Sequence, residues 1–323
     1  MRIEMSEYGG PDVLRVVEAP VQVPGPGEVR VQVTAAGVNR ADLFIRSGAW
    51  PQGGEWPYVP GLELVGTVEA TGPDCRLSVG DRVITMMQRL GGIHGTRAGG
   101  YQRRAVVPEA TLAVLPRSLS RLDAATLGLP AVTAWASLQA LEIEAGQRVL
   151  VQAGSSAVGQ MALRLLRAHG CEAIATGTRP EKFDAMRAAG ADDVIWTRDP
   201  KDARWWRGHA QVDRVLELVG GPTFQGSLHL LAPGGRLVLA GATGGDQLAF
   251  EAWELTRPKT LLGYSSETLT RDALQQTIDT LSRFVERALV PLPEPNVFAM
   301  TDVAEAHRQL EAGELVGRVL LTP

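Results

Sequence analysis

The run Val149-Leu-Val-Gln-Ala-Gly154-Ser-Ser-Ala-Val-Gly159, midway along the chain, constrains the fold more than any other stretch. A short apolar segment rich in Val and Leu leads into a turn of small residues. An Ala- and Leu-rich helical pattern then runs to about His169, and a second apolar segment, Glu172-Ala-Ile-Ala-Thr176, follows Gly170. Strand, tight turn, helix and strand in that order open a dinucleotide-binding βαβ unit. A helix that starts in such a turn offers a pyrophosphate its unpaired backbone N–H groups and the positive end of its dipole. Gly154 supplies the tight turn and Gly159 the close packing of helix on sheet, while the middle position, usually glycine, is Ser156. Ser155, Ser156, Ala157 and Val158 between them are the expected phosphate-side residues. An isolated glycine pattern also occurs in ordinary α/β crossovers, so the weight falls on the elements around it.

Those elements divide the chain by texture. The first hundred residues are β-rich: Val13-Leu-Arg-Val-Val-Glu and Glu28-Val-Arg-Val-Gln-Val-Thr alternate apolar and polar residues, with Pro20, Pro24, Pro26 and Gly27 between them. Leu64-Val-Gly-Thr-Val-Glu-Ala and Arg82-Val-Ile-Thr-Met continue the pattern. The stretch 86–100 has several glycines and no periodicity, which predicts a surface loop. From Leu122 the pattern changes to a helix over 123–141, interrupted near Pro130. Strands at 148–152, 172–176, 192–196, 213–219 and 235–240 then alternate with helices at 158–169, 180–189 and 222–232. Such alternation predicts a parallel, doubly wound sheet. A helix at 270–288, a strand near 297, a helix at 302–311 and a final strand Gly317-Arg-Val-Leu-Leu complete the chain.

Composition narrows the function classes. With 323 residues the chain is long enough for two substantial cores. A net charge of −4 gives no basic surface for nucleic acid or anionic lipid. No apolar run reaches the ~18 residues of a membrane span, and the N-terminus lacks a signal-peptide pattern. Two cysteines, Cys75 and Cys171, are too few for a disulfide framework. Together these predict a cytoplasmic protein.

The second strand of the unit points to the cofactor. In dinucleotide folds an acid about 20 residues past the turn holds the adenosine ribose 2′-OH. Here that place is Thr176-Gly177-Thr178, with Arg179 and Lys182 directly after and no carboxylate. Cations early in a helix oppose its dipole, which favours a ligand role over a merely solvated one. Gly177, Thr178, Arg179 and Lys182 are therefore expected at a 2′-phosphate, making the cofactor NADPH rather than NADH.

With these pieces assembled, the chain resembles the medium-chain dehydrogenase/reductase superfamily, and within it the quinone oxidoreductase (zeta-crystallin-like) branch. The resemblance rests on Gly9-Gly-Pro-Asp-Val-Leu, Gly37-Val-Asn-Arg-Ala-Asp42, Ile45-Arg-Ser-Gly48, Val59-Pro-Gly-Leu-Glu63, Val79-Gly-Asp-Arg-Val83 and Thr133-Ala-Trp135. The 149–160 turn, Glu217-Leu-Val-Gly-Gly221, Gly234-Gly-Arg-Leu-Val238 and the terminal Gly317-Arg-Val-Leu follow in family order. It implies an α/β protein: a discontinuous GroES-like catalytic domain of residues 1–121 and 265–323, and a Rossmann NADPH-binding domain of residues 122–264. NADPH is expected in the cleft between them, and a homodimer is implied as well. From the family come further cofactor residues: Thr133 on the nicotinamide side, Gly241, Tyr264 and Arg318, and Trp196 where relatives place a tyrosine near the adenosine phosphate.

The superfamily's alcohol dehydrogenases hold a catalytic zinc with Cys, His and Cys. By motif alignment those positions here are Asn39, Leu62 and the Leu129/Pro130 region, none of which supplies a thiolate or imidazole. His94 is the only histidine in the first 150 residues. A metal-free protein is expected. Without a Lewis acid, reduction is easiest on acceptors already electrophilic, namely quinones or alkenes conjugated to a carbonyl. The protein then supplies placement and hydrogen bonds to developing oxyanion charge. Asn39 and Asp42 are the expected catalytic pair, with Asn39 donating to an acceptor oxygen and Asp42 orienting Asn39 or a neighbouring group; both residue types also cap turns and helices. Where relatives often carry tyrosine this chain has Phe44, which removes that proton donor. Phe44 and Trp50 are expected at the substrate, with Trp56 nearby, and the 47–57 and 86–100 loops would shape its pocket. Two other readings stay open at this point: an enoyl-thioester reductase, against which Phe44 counts, and an NADPH-binding protein with a non-catalytic role.

Overall fold

The computed structural model describes residues 1–50, 55–87, 97–199 and 204–323. The central parts of the two loops expected around the acceptor, 51–54 and 88–96 with His94, lie outside the described residues. The chain divides into two compact units: Met1–Val132, Ser266–Ala288 and Glu294–Pro323 form one, and Thr133–Ser265 with Leu289–Pro293 the other.

The first unit is built on a mostly antiparallel sheet, with one parallel pair at its edge. Strands β1 (Arg2–Glu4) and β2 (Arg15–Val17) pair as a small separate ribbon. Then come β3 (Glu28–Gly37), helix α1 (Arg40–Ser47), β4 (Glu63–Thr71), β5 (Arg82–Met86), β6 (Arg104–Pro108) and β7 (Ala113–Val114). The period-two pattern of β3 turns Val29, Val31 and Val33 to one face, where they meet Leu64, Val68, Val83, Ala105 and Val107 in one core. Each of these valines and leucines, once buried, stabilises the fold by about 1.5–3 kcal/mol. Helices α2 (Arg121–Thr126) and α3 (Leu129–Leu141) replace the single interrupted helix read from the sequence. Pro130 is the reason: it has no N–H to donate and suits a first helical turn, so it stands at the start of a new helix.

The second unit carries β8 (Arg148–Val151), α4 (Ala157–Ala168), β9 (Glu172–Gly177), α5 (Phe183–Ala189), β10 (Asp193–Trp196), β11 (Val212–Glu217), α6 (Thr223–Leu230), β12 (Leu231–Leu239) and β13 (Thr260–Gly263). Its six strands are all parallel, in the order β10-β9-β8-β11-β12-β13. In chain order that is 3-2-1-4-5-6, the doubly wound arrangement whose direction of winding reverses between β8 and β11. Leu150, Ile174, Val215, Leu237 and the α6 residues Phe224 and Leu228 form its core.

The chain then returns to the first unit through α7 (Arg271–Glu286), β14 (Asn296–Ala299), α8 (Val303–Glu311) and β15 (Val319–Thr322). β15 pairs antiparallel with the last two residues of β3, at Gly37 and Ala36, while β6 pairs with its first half. This places Arg318, just before β15, beside the start of α1.

Candidate functional site

In the parallel-sheet unit, the small-residue turn after β8 is stabilised from several sides. Gly154 N donates to Thr176 O at 2.9 Å and Ser156 N to Ala153 O at 2.9 Å. A side chain at Gly154 would bring its Cβ within 2.7 Å of Ala175 Cβ, and one at Gly159 within 2.5 Å of Ala153 O. Both glycines are therefore required by close approach. Ser156 is the N-cap of α4, and its hydroxyl accepts from Gly159 N at 3.0 Å. The side chain thus folds back on its own helix, and Ala157 and Val158 open the first turn, whose amides have no partner within a helix. This geometry, with the dipole of a twelve-residue helix behind it, fits a pyrophosphate.

Around the end of β9, Gly177 is buried and Thr178 and Arg179 are exposed. Lys182 is buried, and Trp196, at the end of β10, donates from its indole to Thr178 O at 3.3 Å. Arg198 stacks over that indole, 5.5 Å from the ring centroid. The end of β9, Thr176 to Thr178, carries no acid to repel a 2′-phosphate, while Glu181 stands between the two cations. Gly241 lies against the backbone, where a Cβ would meet Leu218 O at 2.6 Å. The Tyr264 hydroxyl is buried and has no hydrogen-bond partner among the described residues. Thr133 is half-buried on α3. An unpaired hydroxyl, a capped helix start and cations in place of an acid together fit NADPH.

In the antiparallel unit the polar residues form one cluster. Asp42, fully buried, accepts Asn39 N at 2.8 Å and Leu62 N at 3.1 Å, tying the start of α1 to the segment before β4. Burial pushes its carboxyl up to about 7; the hydrogen bonds from Asn39 and Leu62 oppose this, and the charge of Glu63 adds to it. Asn39 donates from Nδ2 to Glu63 Oε1 at 2.7 Å. Glu63 also receives Arg318 at 2.8 Å and, on its other oxygen, Leu129 N at 2.7 Å, the first amide of α3. A carboxylate at that helix start is favoured by the dipole. Arg318 further donates to Ala125 O at 3.2 Å and contacts Asn39 Oδ1 at 3.4 Å. Its side chain is 3% exposed and that of Glu63 1%. Gly128 makes room for the pair: a Cβ there would lie 2.1 Å from Glu63 Oε2.

The expected substrate residues sit beside this cluster in sequence. Phe44 and Trp50 meet edge to face with centroids 6.3 Å apart, and Trp56 meets Tyr8 in the same way at 5.0 Å. The structure thus brings Asn39, Asp42 and Arg318 together around Glu63, and brings Trp196 to the turn of Thr178. Glu63 is the residue that sequence reasoning passed over, although an acid inside the apolar run Leu62 to Val65 is a signal of a buried, paired charge. Glu217 at the end of the apolar strand β11 is a second one. Burial pushes its carboxyl up, while hydrogen bonds from Ser227, Gly220, Val219 and Thr223 favour its charged form.

The positions aligned with zinc ligands are an amide engaged by Glu63 and Arg318, a buried leucine side chain at Leu62, and the start of α3. No group of three or more His, Cys, Asp or Glu among the described residues can hold a metal ion. That donor set does not fit zinc.

Comparison with known proteins agrees with this architecture. Residues 25–117 match the alcohol dehydrogenase GroES-like domain and residues 157–283 the zinc-binding dehydrogenase domain. The quinone oxidoreductase of Pseudomonas aeruginosa is 33% identical over all of this chain and 99% of its own length. The human quinone oxidoreductase is 27% identical, covering 99% and 96% respectively. Among solved structures, a mycobacterial protein complexed with NADPH matches with a TM-score of 0.85 and 32% identity, covering 100% of this chain and 99% of the other. The Escherichia coli quinone oxidoreductase complexed with NADPH matches with a TM-score of 0.86 at 27% identity and the same coverage. The chain belongs to the medium-chain dehydrogenase/reductase superfamily, in its quinone oxidoreductase branch.

Proposed function

We propose that this protein is an NADPH-dependent reductase of quinones or α,β-unsaturated carbonyl compounds that works without zinc. The observation that carries the reading is the amide of Asn39, fixed by Glu63 at the position where zinc enzymes of the superfamily place a thiolate ligand. When bound, reduced nicotinamide supplies the hydride. The amides of Ala157 and Val158 and the dipole of α4 hold the pyrophosphate; Arg179 and Lys182 hold the 2′-phosphate, with Gly177, Thr178 and Trp196 shaping that end. Thr133, Gly241 and the unpaired hydroxyl of Tyr264 serve the remainder of the cofactor.

On the acceptor side, Asn39 commits one amide hydrogen to Glu63 and keeps the second for the acceptor's oxygen, where negative charge develops. Asp42 acts through the backbone of Asn39, and Glu63 and Arg318 act through its side chain. Phe44 and Trp50 offer an aromatic surface suited to a planar acceptor. Kinship with quinone oxidoreductases favours an enzyme over a non-catalytic protein, and Phe44 in place of a tyrosine disfavours the enoyl-thioester reading. No helix among the described residues is long and apolar enough to cross a membrane. The proposed compartment is the cytoplasm, where free thiols such as Cys75 and Cys171 stay reduced. The implied homodimer would use the edge strand β13.

The test is NADPH oxidation by purified protein with 1,4-benzoquinone and an unsaturated aldehyde side by side, and with NADH as control. Oxidation that depends on an acceptor and prefers NADPH is the expected result, and the faster acceptor defines the class. NADPH binding without turnover of either acceptor would contradict the proposal.

A further inference from the structure

Three adjacent strands of the parallel sheet, β9, β8 and β11, each bring a buried polar side chain to their C-terminal ends: Thr176, Gln152 and Glu217. Ser227 on α6 joins them, and all four are linked. Thr176 Oγ1 accepts Ala153 N at 3.1 Å and donates to Gln152 Oε1 at 2.5 Å. Gln152 Nε2 donates to Ser227 Oγ at 2.7 Å, and Ser227 donates to Glu217 Oε2. The other oxygen of Glu217 accepts Val219 N at 2.9 Å and Gly220 N at 3.0 Å. Each end of the chain reaches a residue in the left-handed region: Ala153 with φ +50°, unusual for a residue with a Cβ, and Gly220 with φ +65°. Ala153 immediately precedes Gly154 of the phosphate turn. Gly220 belongs to the loop after β11, which makes a bridge with Gly245.

The polarity of this chain is not free. Both oxygens of Glu217 face donors, Val219 N, Gly220 N and Thr223 Oγ1 on one and Ser227 Oγ on the other, so Ser227 gives its single hydrogen to Glu217 and accepts from Gln152. The amide of Gln152 is then oriented with its oxygen toward Thr176, so Thr176 spends its own hydrogen there and accepts Ala153 N–H. We propose that Glu217 is a positioning residue for NADPH: through the relay of Ser227, Gln152 and Thr176 it holds the left-handed Ala153 and the 219–221 loop in register. The phosphate turn and the loop after β11 are thereby set as one unit before cofactor arrives, which lowers the ordering cost of binding. Sheet contacts alone would leave these two loops independent.

Glu217→Gln tests the relay. Its new N–H faces Ser227, which already receives Gln152, so the conflict passes along the chain to Ala153. Thr176→Val removes the far end, and the two sites are separated by two intervening side chains. The measurement is NADPH affinity by calorimetry, without acceptor or turnover. Each single variant is expected to weaken NADPH by about tenfold, and the double variant by no more than the worse single, since either breaks the same relay. Thr176→Ser keeps the hydroxyl and is expected to bind as the wild type does. Additive losses in the double variant, or an unchanged affinity in Glu217→Gln, would overturn the proposal. Should Glu217→Gln fail to fold, Ser227→Ala paired with Thr176→Val gives the same cycle: non-additive losses support the relay and additive ones overturn it. The inference rests on the NADPH reading above, and the two fail differently. A wild type that does not bind NADPH overturns both, whereas a binding wild type with uncoupled variants overturns the relay alone.

Discussion

Glu63 and Arg318 show how one residue sets the behaviour of a site. Two charges almost removed from water are tolerated because each is surrounded by donors or acceptors: Asn39, Leu129 N and Arg318 on the carboxylate, Ala125 O on the guanidinium. Replacing one partner leaves the other charge buried and unpaired. Glu63→Gln is therefore expected to lower stability by about 3–5 kcal/mol in urea denaturation. A loss below about 1 kcal/mol, the range of surface pairs, would show that water reaches Arg318. At the cofactor edge the corresponding prediction concerns selectivity. A charge-assisted hydrogen bond contributes about 1.5–3 kcal/mol, so Arg179→Ala or Lys182→Ala should weaken NADPH by about ten- to a hundredfold and leave NADH unchanged, as equilibrium titration with both nucleotides would reveal. Equal losses for both would place these cations elsewhere than at the 2′-phosphate.

Among the elements, helix α4 bears most directly on the cofactor, and Ser156 is its most informative residue. As N-cap it satisfies Gly159 N, so Ser156→Ala should cost about 1 kcal/mol in thermal or urea unfolding, while Ser156→Gly should cost only a few tenths. If Ser156→Ala and Ser156→Gly are equally mild, the hydroxyl does not cap the helix. Five strands of the parallel sheet were legible in the sequence as short apolar runs, three of them (β8, β9 and β11) followed by a helical pattern; the sixth, β13, is only four residues long and was not read as a strand. Helix α1 was not: Arg40–Ser47 is short and follows a long apolar-rich strand without a break in composition. The capping role of Ser156 was also hidden, because a serine in a glycine turn reads equally as a damaged phosphate loop. Asn39 and Asp42 were visible as a pair three residues apart, but their anchor Glu63 was not, since the twenty-four residues separating it from Asn39 are bridged only by folding. The relay beneath the cofactor turn has the same cause. It joins residues on three strands and a helix, and only the sheet order makes them neighbours.

Across the whole molecule, titration of buried groups couples stability to pH. His307, fully buried on α8 with its Nε2 3.2 Å from Tyr101 OH, is pushed down to about 3 by burial, with the nearby charge of Arg46 acting in the same direction. The unfolded chain therefore binds a proton that the folded one refuses between about pH 3 and pH 6.5, so this group's contribution to stability grows as pH rises through that window and is lost on acidification. His307→Gln keeps a partner for Tyr101 and removes the titration. The stability of the wild type relative to this variant is expected to rise from pH 4 to pH 6.5 and to stay level above it; a difference independent of pH would mean that His307 binds its proton as readily in the folded protein as in the unfolded chain. At the same scale, the function proposed for this molecule has acceptor reduction rest on a hydrogen-bonded amide rather than on zinc. The most direct test is to strip the protein with a chelator, determine its metal content, and follow NADPH oxidation with 1,4-benzoquinone. Undiminished, acceptor-dependent oxidation by protein without stoichiometric metal is the predicted result. Activity that vanishes with the metal and returns when zinc is restored would contradict it.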